Sequence, residues 1–166
     1  MITLGGSRAA MLMDNMDPSS WQRLVRESFE YDKYANFIWL PFIVGVALPE
    51  EKQIFNHILA ASTVWVARMD GVSLNAMPEV AIHEDSIIDL HQRWMQAIVR
   101  YKFDDLISYR NTRGDPFEST FGDITRHVTT HGTYHRGQIR EKFGARGANF
   151  PETDFIQFAR DRGRVR

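Results

Sequence analysis

The segment His127-Val-Thr-Thr-His131-Gly-Thr-Tyr-His135-Arg-Gly-Gln138 spaces three histidines four residues apart. On a helix, residues four apart stand one above the other with Cβ atoms about 5–6 Å apart, so His131 and His135 can present two imidazoles to one ion. His127 continues the row. The row shares its face with Ile124, Val128 and Ile139, so the imidazoles are expected to face the interior of a helical bundle. An unpartnered polar group in a core costs about 1–3 kcal/mol. One buried histidine is ordinarily satisfied by hydrogen bonds, whereas two or three in register on an inward face favour a metal. Gly132 occupies the second position of the repeat, where an HExxH metalloprotease carries its Glu general base, so peptide hydrolysis by that mechanism is disfavoured.

A catalytic zinc-type site holds its ion with three protein ligands and keeps one position open. His57, beside Ile54, Ile58, Ala61 and Val64 at the edge of an apolar stripe, is the best third donor. His91 lies among Ile87, Trp94 and Ile98 and stays a candidate, while His83 falls in a loop and reads as solvated. Arg136 and Gln138 either orient a bound anion or a metal ligand, or are an exposed Arg and a surface Gln. Gly132 and Gly137 each cost a helix about 1 kcal/mol relative to Ala, which suggests close approach of a neighbour there. The chain has no Cys. That excludes thiolate nucleophiles, disulfides and Cys-based zinc sites, leaving His, carboxylate or water for any metal.

The elements that must position these residues follow from the apolar periodicity. A first helix begins after Asp17-Pro18 and carries Trp21, Leu24, Val25, Ser28, Ala35, Ile38, Trp39 and Phe42, with Pro41 expected to kink or end it. A second carries Ile54, Ile58, Ala61, Trp65 and Met69 and stops at Gly71. The third runs from near Glu84 through Ile87, His91, Trp94, Ile98 and Tyr101 to about Phe103; the short link before it predicts that helices two and three are antiparallel. Around Gly114-Asp115-Pro116 a short hairpin or an extended crossover is predicted. Thr120 and Asp123 approximate a capping box, opening a fourth helix that ends at Gly144. Residues 153–160 add a short terminal helix.

Four amphipathic helices imply an all-α four-helix bundle, with a crossover connection before the last long helix. The 166 residues, 43% hydrophobic and 25% charged, suit one bundle domain over residues 17–166, with residues 1–16 as a flexible N-terminal extension. A net charge of −1 leaves no bulk positive field for nucleic acid. The longest uncharged apolar run, residues 37–48, is shorter than the roughly 20 residues a membrane span needs. The N-terminus lacks a basic start followed by an apolar stretch, so a cytoplasmic protein is expected.

These residues together resemble the DinB or YfiT-like family of metal-dependent enzymes. The resemblance is carried by Tyr34-Ala-Asn36, His57-Ile-Leu-Ala with Trp65 and Arg68, HVTTHGTYHRGQI, and the closing PETDFIQFAR. Tyr34 departs from it, standing where the family often has Trp. The resemblance implies a four-helix bundle, commonly a homodimer, holding a divalent metal, Zn or Ni, through His57, His131 and His135. His127 then stands as a supporting group beside the ligands, with Arg136 and Gln138. Some relatives transfer low-molecular-weight thiols.

Two functions follow as expectations. In the first, a metal-dependent transferase or hydrolase uses a thiol cosubstrate or metal-activated water on a small-molecule substrate; no side chain is singled out as the reacting group. In the second, a non-catalytic metal-binding helical dimer serves a stress response, its fourth metal position occupied by a permanent ligand or closed by a side chain such as His91.

Overall fold

The computed structural model describes residues 18–164; the N-terminal extension expected over residues 1–16 lies outside the described residues. The helices are α1 (Pro18–Gly45), α2 (Pro49–Met69), α3 (Glu84–Arg100), α4 (Phe121–Ala145) and α5 (Phe155–Arg164), with strands β1 (Leu106–Arg110) and β2 (Pro116–Thr120) between α3 and α4. The long helices α1 to α4 form a four-helix bundle. Pro41 lies inside α1, which continues past it to Gly45. Of the two outcomes expected of Pro41, an end to the helix does not occur, because Trp39, Leu40 and Ile43 on either side of the proline bury themselves in the core, and burial of that size outweighs one lost backbone hydrogen bond. Leu24, expected on the apolar stripe, is 51% exposed.

Contacts along the helices give their directions. Ser62 accepts a hydrogen bond from Trp94 Nε1 at 2.8 Å, and Met69 O accepts from Tyr101 Oη at 2.8 Å. Helices α2 and α3 therefore run parallel, correcting the antiparallel expectation. The link between them returns along the whole of α2, and its residue Val80 is held near the start of that helix by Asn56. Fourteen residues of loop are enough, since an extended chain covers about 3.3 Å per residue and a helix only about 1.5 Å. The connection before α4 crosses one end of the bundle between helices that do not pack closely together, as expected of a crossover. It contains the hairpin, antiparallel in the register Leu106 to Thr120 through Arg110 to Pro116. Thr120 Oγ1 accepts from Asp123 N at 3.0 Å and caps α4.

The apolar core divides into two clusters. One gathers Phe29, Val66, Trp94, Ile98, Phe121, Ile124 and Val128; the other gathers Trp39, Ile43, Phe55, Ile58, Ile87, Ile139 and Phe143. Between them every long helix contributes a polar residue: Asp32 and Asn36 on α1, Ser62 on α2, His91 on α3, and His131, His135 and Arg136 on α4. The candidate site sits at the edge of this polar layer.

At the far end, Glu51 is 1% exposed. It accepts from Leu48 N at 2.6 Å and from Arg146 Nε and Nη2 at 3.0 Å each, tying the start of α2 to the end of α4. Burial alone would raise its carboxyl pKa. The Arg146 and Leu48 hydrogen bonds, with the charges of Arg146 and Lys142, outweigh burial and lower it below 4.5. A carboxylate with a depressed folded-state pKa adds stability above its unfolded pKa, and that stability is lost as pH falls through the folded value. Glu51→Gln should therefore cost about 2 kcal/mol at pH 7. In urea unfolding the deficit should shrink as pH falls through the lowered folded-state pKa, where the parent carboxyl becomes protonated too; a deficit that does not shrink at any acid pH at which the fold persists would count against the ion pair.

Candidate metal centre

His57 projects from α2 and His131 and His135 from α4, which pack antiparallel. The three imidazoles converge. His57 Nε2 lies 3.1 Å from His131 Nε2, and His135 Nε2 lies 3.1 Å from the same atom. One ligand atom from each side chain falls within 4.8 Å of the others, and all three residues are half-buried. Tetrahedral ligands around an ion with metal–nitrogen bonds of about 2.0–2.1 Å stand a little over 3 Å apart, so the spacing suits a metal.

The proton count points the same way. His135 Nδ1 lies 2.7 Å from Gln138 Oε1, whose amide nitrogen donates to Tyr134 Oη at 3.1 Å. The amide oxygen accepts, so the single proton of a neutral His135 sits on Nδ1 and leaves Nε2 as a bare lone pair. His131 Nε2 faces two imidazole nitrogens and has at most one proton to offer. Three nitrogens aimed at one point cannot all be satisfied by each other; a cation satisfies them together.

Electrostatics keeps His131 and His57 neutral. Burial, then the neighbouring His135, His57 and His127, lowers His131 to about 4. Burial and His135 lower His57 in the same sense. Neutral imidazole is the form that binds a metal, and these rings hold it through the physiological range.

The other sequence candidates divide. Gln138 is brought to the site, where it orients His135. His127 is exposed rather than interior; its ring lies 5.5 Å from those of His131 and Trp65. The whole row stands at the bundle edge, because Gly132 and Arg136, 100° further round α4, take the interior positions. Arg136 does not reach the histidines and is not exposed. It is 3% exposed and turned to α1, donating to Asp32 Oδ1 at 2.7 Å and Asn36 Oδ1 at 2.9 Å. His91 is also elsewhere, its Nε2 3.0 Å from Glu30 Oε1, so it does not close a fourth metal position. His83 is exposed and caps α3, accepting from Asp85 N at 3.3 Å. Gly132 is the close approach expected of a helix glycine: a Cβ there would lie 2.6 Å from Asp32 Oδ1. Among the described residues nothing lies within 4 Å of a Cβ at Gly137, so no close approach there explains that glycine.

The structure adds residues the periodicity passed over. Asp32 and Asn36 matter through Arg136, 104 and 100 positions away, a pairing invisible in sequence. Arg68 stacks on Trp65 and on Tyr109 of the hairpin, bringing β1 to the same face as the histidines.

No helix among the described residues is long and apolar enough to cross a membrane. Among curated proteins none matches the sequence. The family model described as DinB family matches residues 46–163, a span that holds all three converging histidines and Gln138. With a helical bundle and a three-histidine group compatible with a metal, the chain belongs to the DinB family.

Proposed function

We propose that this protein is a metal-dependent enzyme whose divalent ion, Zn or Ni, is held by His57, His131 and His135, and that it transfers a low-molecular-weight thiol to a small electrophilic substrate. The carrying observation is the convergence of three imidazole Nε2 atoms on one point. Such an ion, when bound, lowers the pKa of a coordinated thiol or water; imidazole donors suit Zn and Ni alike.

The protein's own residues contribute placement. Gln138 fixes the His135 tautomer, and support of this kind is typically worth 10- to 100-fold in metal affinity. Among the described residues the group comprises three protein donors, and in this reading the ion keeps one coordination position for a ligand from solution. With no Cys in the chain, the nucleophilic sulfur must come from a cosubstrate. Hydrolysis by activated water uses the same site. We also place the protein in the cytoplasm as a homodimer, in line with the family resemblance.

The test is cobalt substitution followed by titration with cysteine and 2-mercaptoethanol. A new sulfur-to-cobalt charge-transfer band, with turnover of a thiol and electrophile panel, supports the enzyme. An inert spectrum, with no turnover of thiol acceptors or activated esters, supports the alternative, a non-catalytic metal-binding helical dimer in a stress response.

A further inference from the structure

Arg68 stands on α2 three turns beyond His57. Its guanidinium carbon lies 4.6 Å from the centre of the Trp65 ring and 4.9 Å from that of Tyr109. Trp65 in turn meets the Tyr109 ring at 4.9 Å and the His127 ring at 5.5 Å, and His127 meets His131 at 5.5 Å. A continuous row of rings thus joins one guanidinium to the candidate metal centre.

Several other arginines of the bundle are taken up by carboxylates. Arg93, Arg100, Arg136, Arg140 and Arg146 each pair with a carboxylate. Arg68 is half-buried, yet among the described residues its contacts are the two aromatic rings and no carboxylate. A guanidinium offers five N–H donors in a planar fork that matches an oxyanion. Stacking on rings returns about 0.5–1 kcal/mol and satisfies none of these donors. The clamp holds the fork in place without occupying it.

We propose that Arg68 is the anion-recognition residue of this site, binding the carboxylate of a substrate or cosubstrate whose reacting atom lies at the three histidines. The inference rests on the metal-site reading above and names its substrate class. The separation defines the ligand further. Arg68 is about 16 Å of helical rise beyond His57, and helical side chains lean towards the N-terminus, so the anion sits roughly 10–15 Å from the ion site. The ligand is an extended carboxylate, with its apolar middle crossing Trp65 and His127.

The experiment compares ligands of matched length on the cobalt-loaded protein: 8-mercaptooctanoate, 8-mercaptooctanol and the short mercaptoacetate. The octanoate should bind at least tenfold more tightly than the alcohol. Arg68→Met, which keeps a long apolar side chain, should reduce that preference to less than twofold while leaving metal content and mercaptoacetate affinity unchanged; Arg68→Lys should restore part of it. A second pair, octanohydroxamate with and without a terminal carboxylate, ligates the metal without using sulfur and should show the same preference. If thiols are silent but the hydroxamates discriminate through Arg68, thiol transfer fails and the anion site stands. Equal binding of the charged and neutral members of both pairs, or a preference that survives Arg68→Met, overturns the inference.

Discussion

His131→Ala is expected to strip the protein of metal. Parent protein purified without chelator or affinity-tag histidines should carry close to one divalent ion per chain by elemental analysis, and His57→Ala or His135→Ala should lose it as well. His131 is the most sensitive position because its Nε2 is the atom both other imidazoles approach, at 3.1 Å. Gln138→Leu should weaken binding by about 10- to 100-fold without abolishing it, since it releases the His135 tautomer and keeps every ligand. The pH dependence has a definite sign. Protons compete with the ion for imidazole nitrogen, and an ordinary histidine titrates near 6.5. With His131 lowered to about 4 and His57 lowered in the same direction, metal should persist at pH 6 and be lost as pH falls towards 4. In the metal-free protein the unfolded chain binds more protons than the folded one below pH 6.5, so stability also falls with pH there. Parent protein that takes up neither Zn²⁺ nor Ni²⁺, or a His131→Ala variant that keeps its metal, would falsify the three-histidine centre.

Asp32→Ala should be the most damaging substitution outside that centre, at about 3–5 kcal/mol, because it leaves a buried cation without its counter-ion. Arg136 is 3% exposed and its guanidinium is committed to Asp32 and Asn36 on α1, with a weaker contact to Thr133 Oγ1 at 3.3 Å. Its Nε–H has no acceptor among the described residues. Breaking the pair therefore exposes a penalty that nothing nearby can absorb. Asp32→Leu combined with Arg136→Met should recover most of the loss, since a matched apolar pair avoids desolvating either charge. The same contact makes Gly132 special: Gly132→Ala drives a Cβ into Asp32 Oδ1 and should destabilise. Gly137→Ala, in open space, should instead stabilise by up to about 1 kcal/mol through helix propensity. Thermal and urea unfolding read all four variants. If Asp32→Ala and Gly137→Ala shift stability equally, the ion pair does not hold α4 to α1.

Elements and ligands were legible in the chain to different degrees. The helices of residues 49–69, 84–100 and 121–145 announce themselves by apolar repeats three and four apart, a capping Thr120 and a terminating Gly71, all local signals. Pro41 does not end its helix, because a local rule against proline in helix interiors met a burial term supplied by residues distant in sequence. His131 and His135 could be paired from spacing alone, since the helix itself fixes their geometry. His57 is 74 residues from His131; its place at the edge of an apolar stripe makes it the best third donor, but the pattern alone does not exclude His91, which the fold turns to Glu30 instead.

By itself, then, the sequence determined the helices, the bundle class, the absence of thiol chemistry in the chain and two of the three converging imidazoles, because each depends on residues within a few turns of one another. Only the tertiary structure decided that α2 and α3 run parallel, that Arg136 is a buried tie to Asp32 and that Arg68 stacks on Trp65 and Tyr109 with no carboxylate partner among the described residues. Those outcomes depend on which helix faces which. Packing of the whole chain selects that arrangement, and a guanidinium reads alike in sequence whether it meets a carboxylate, a ring or water.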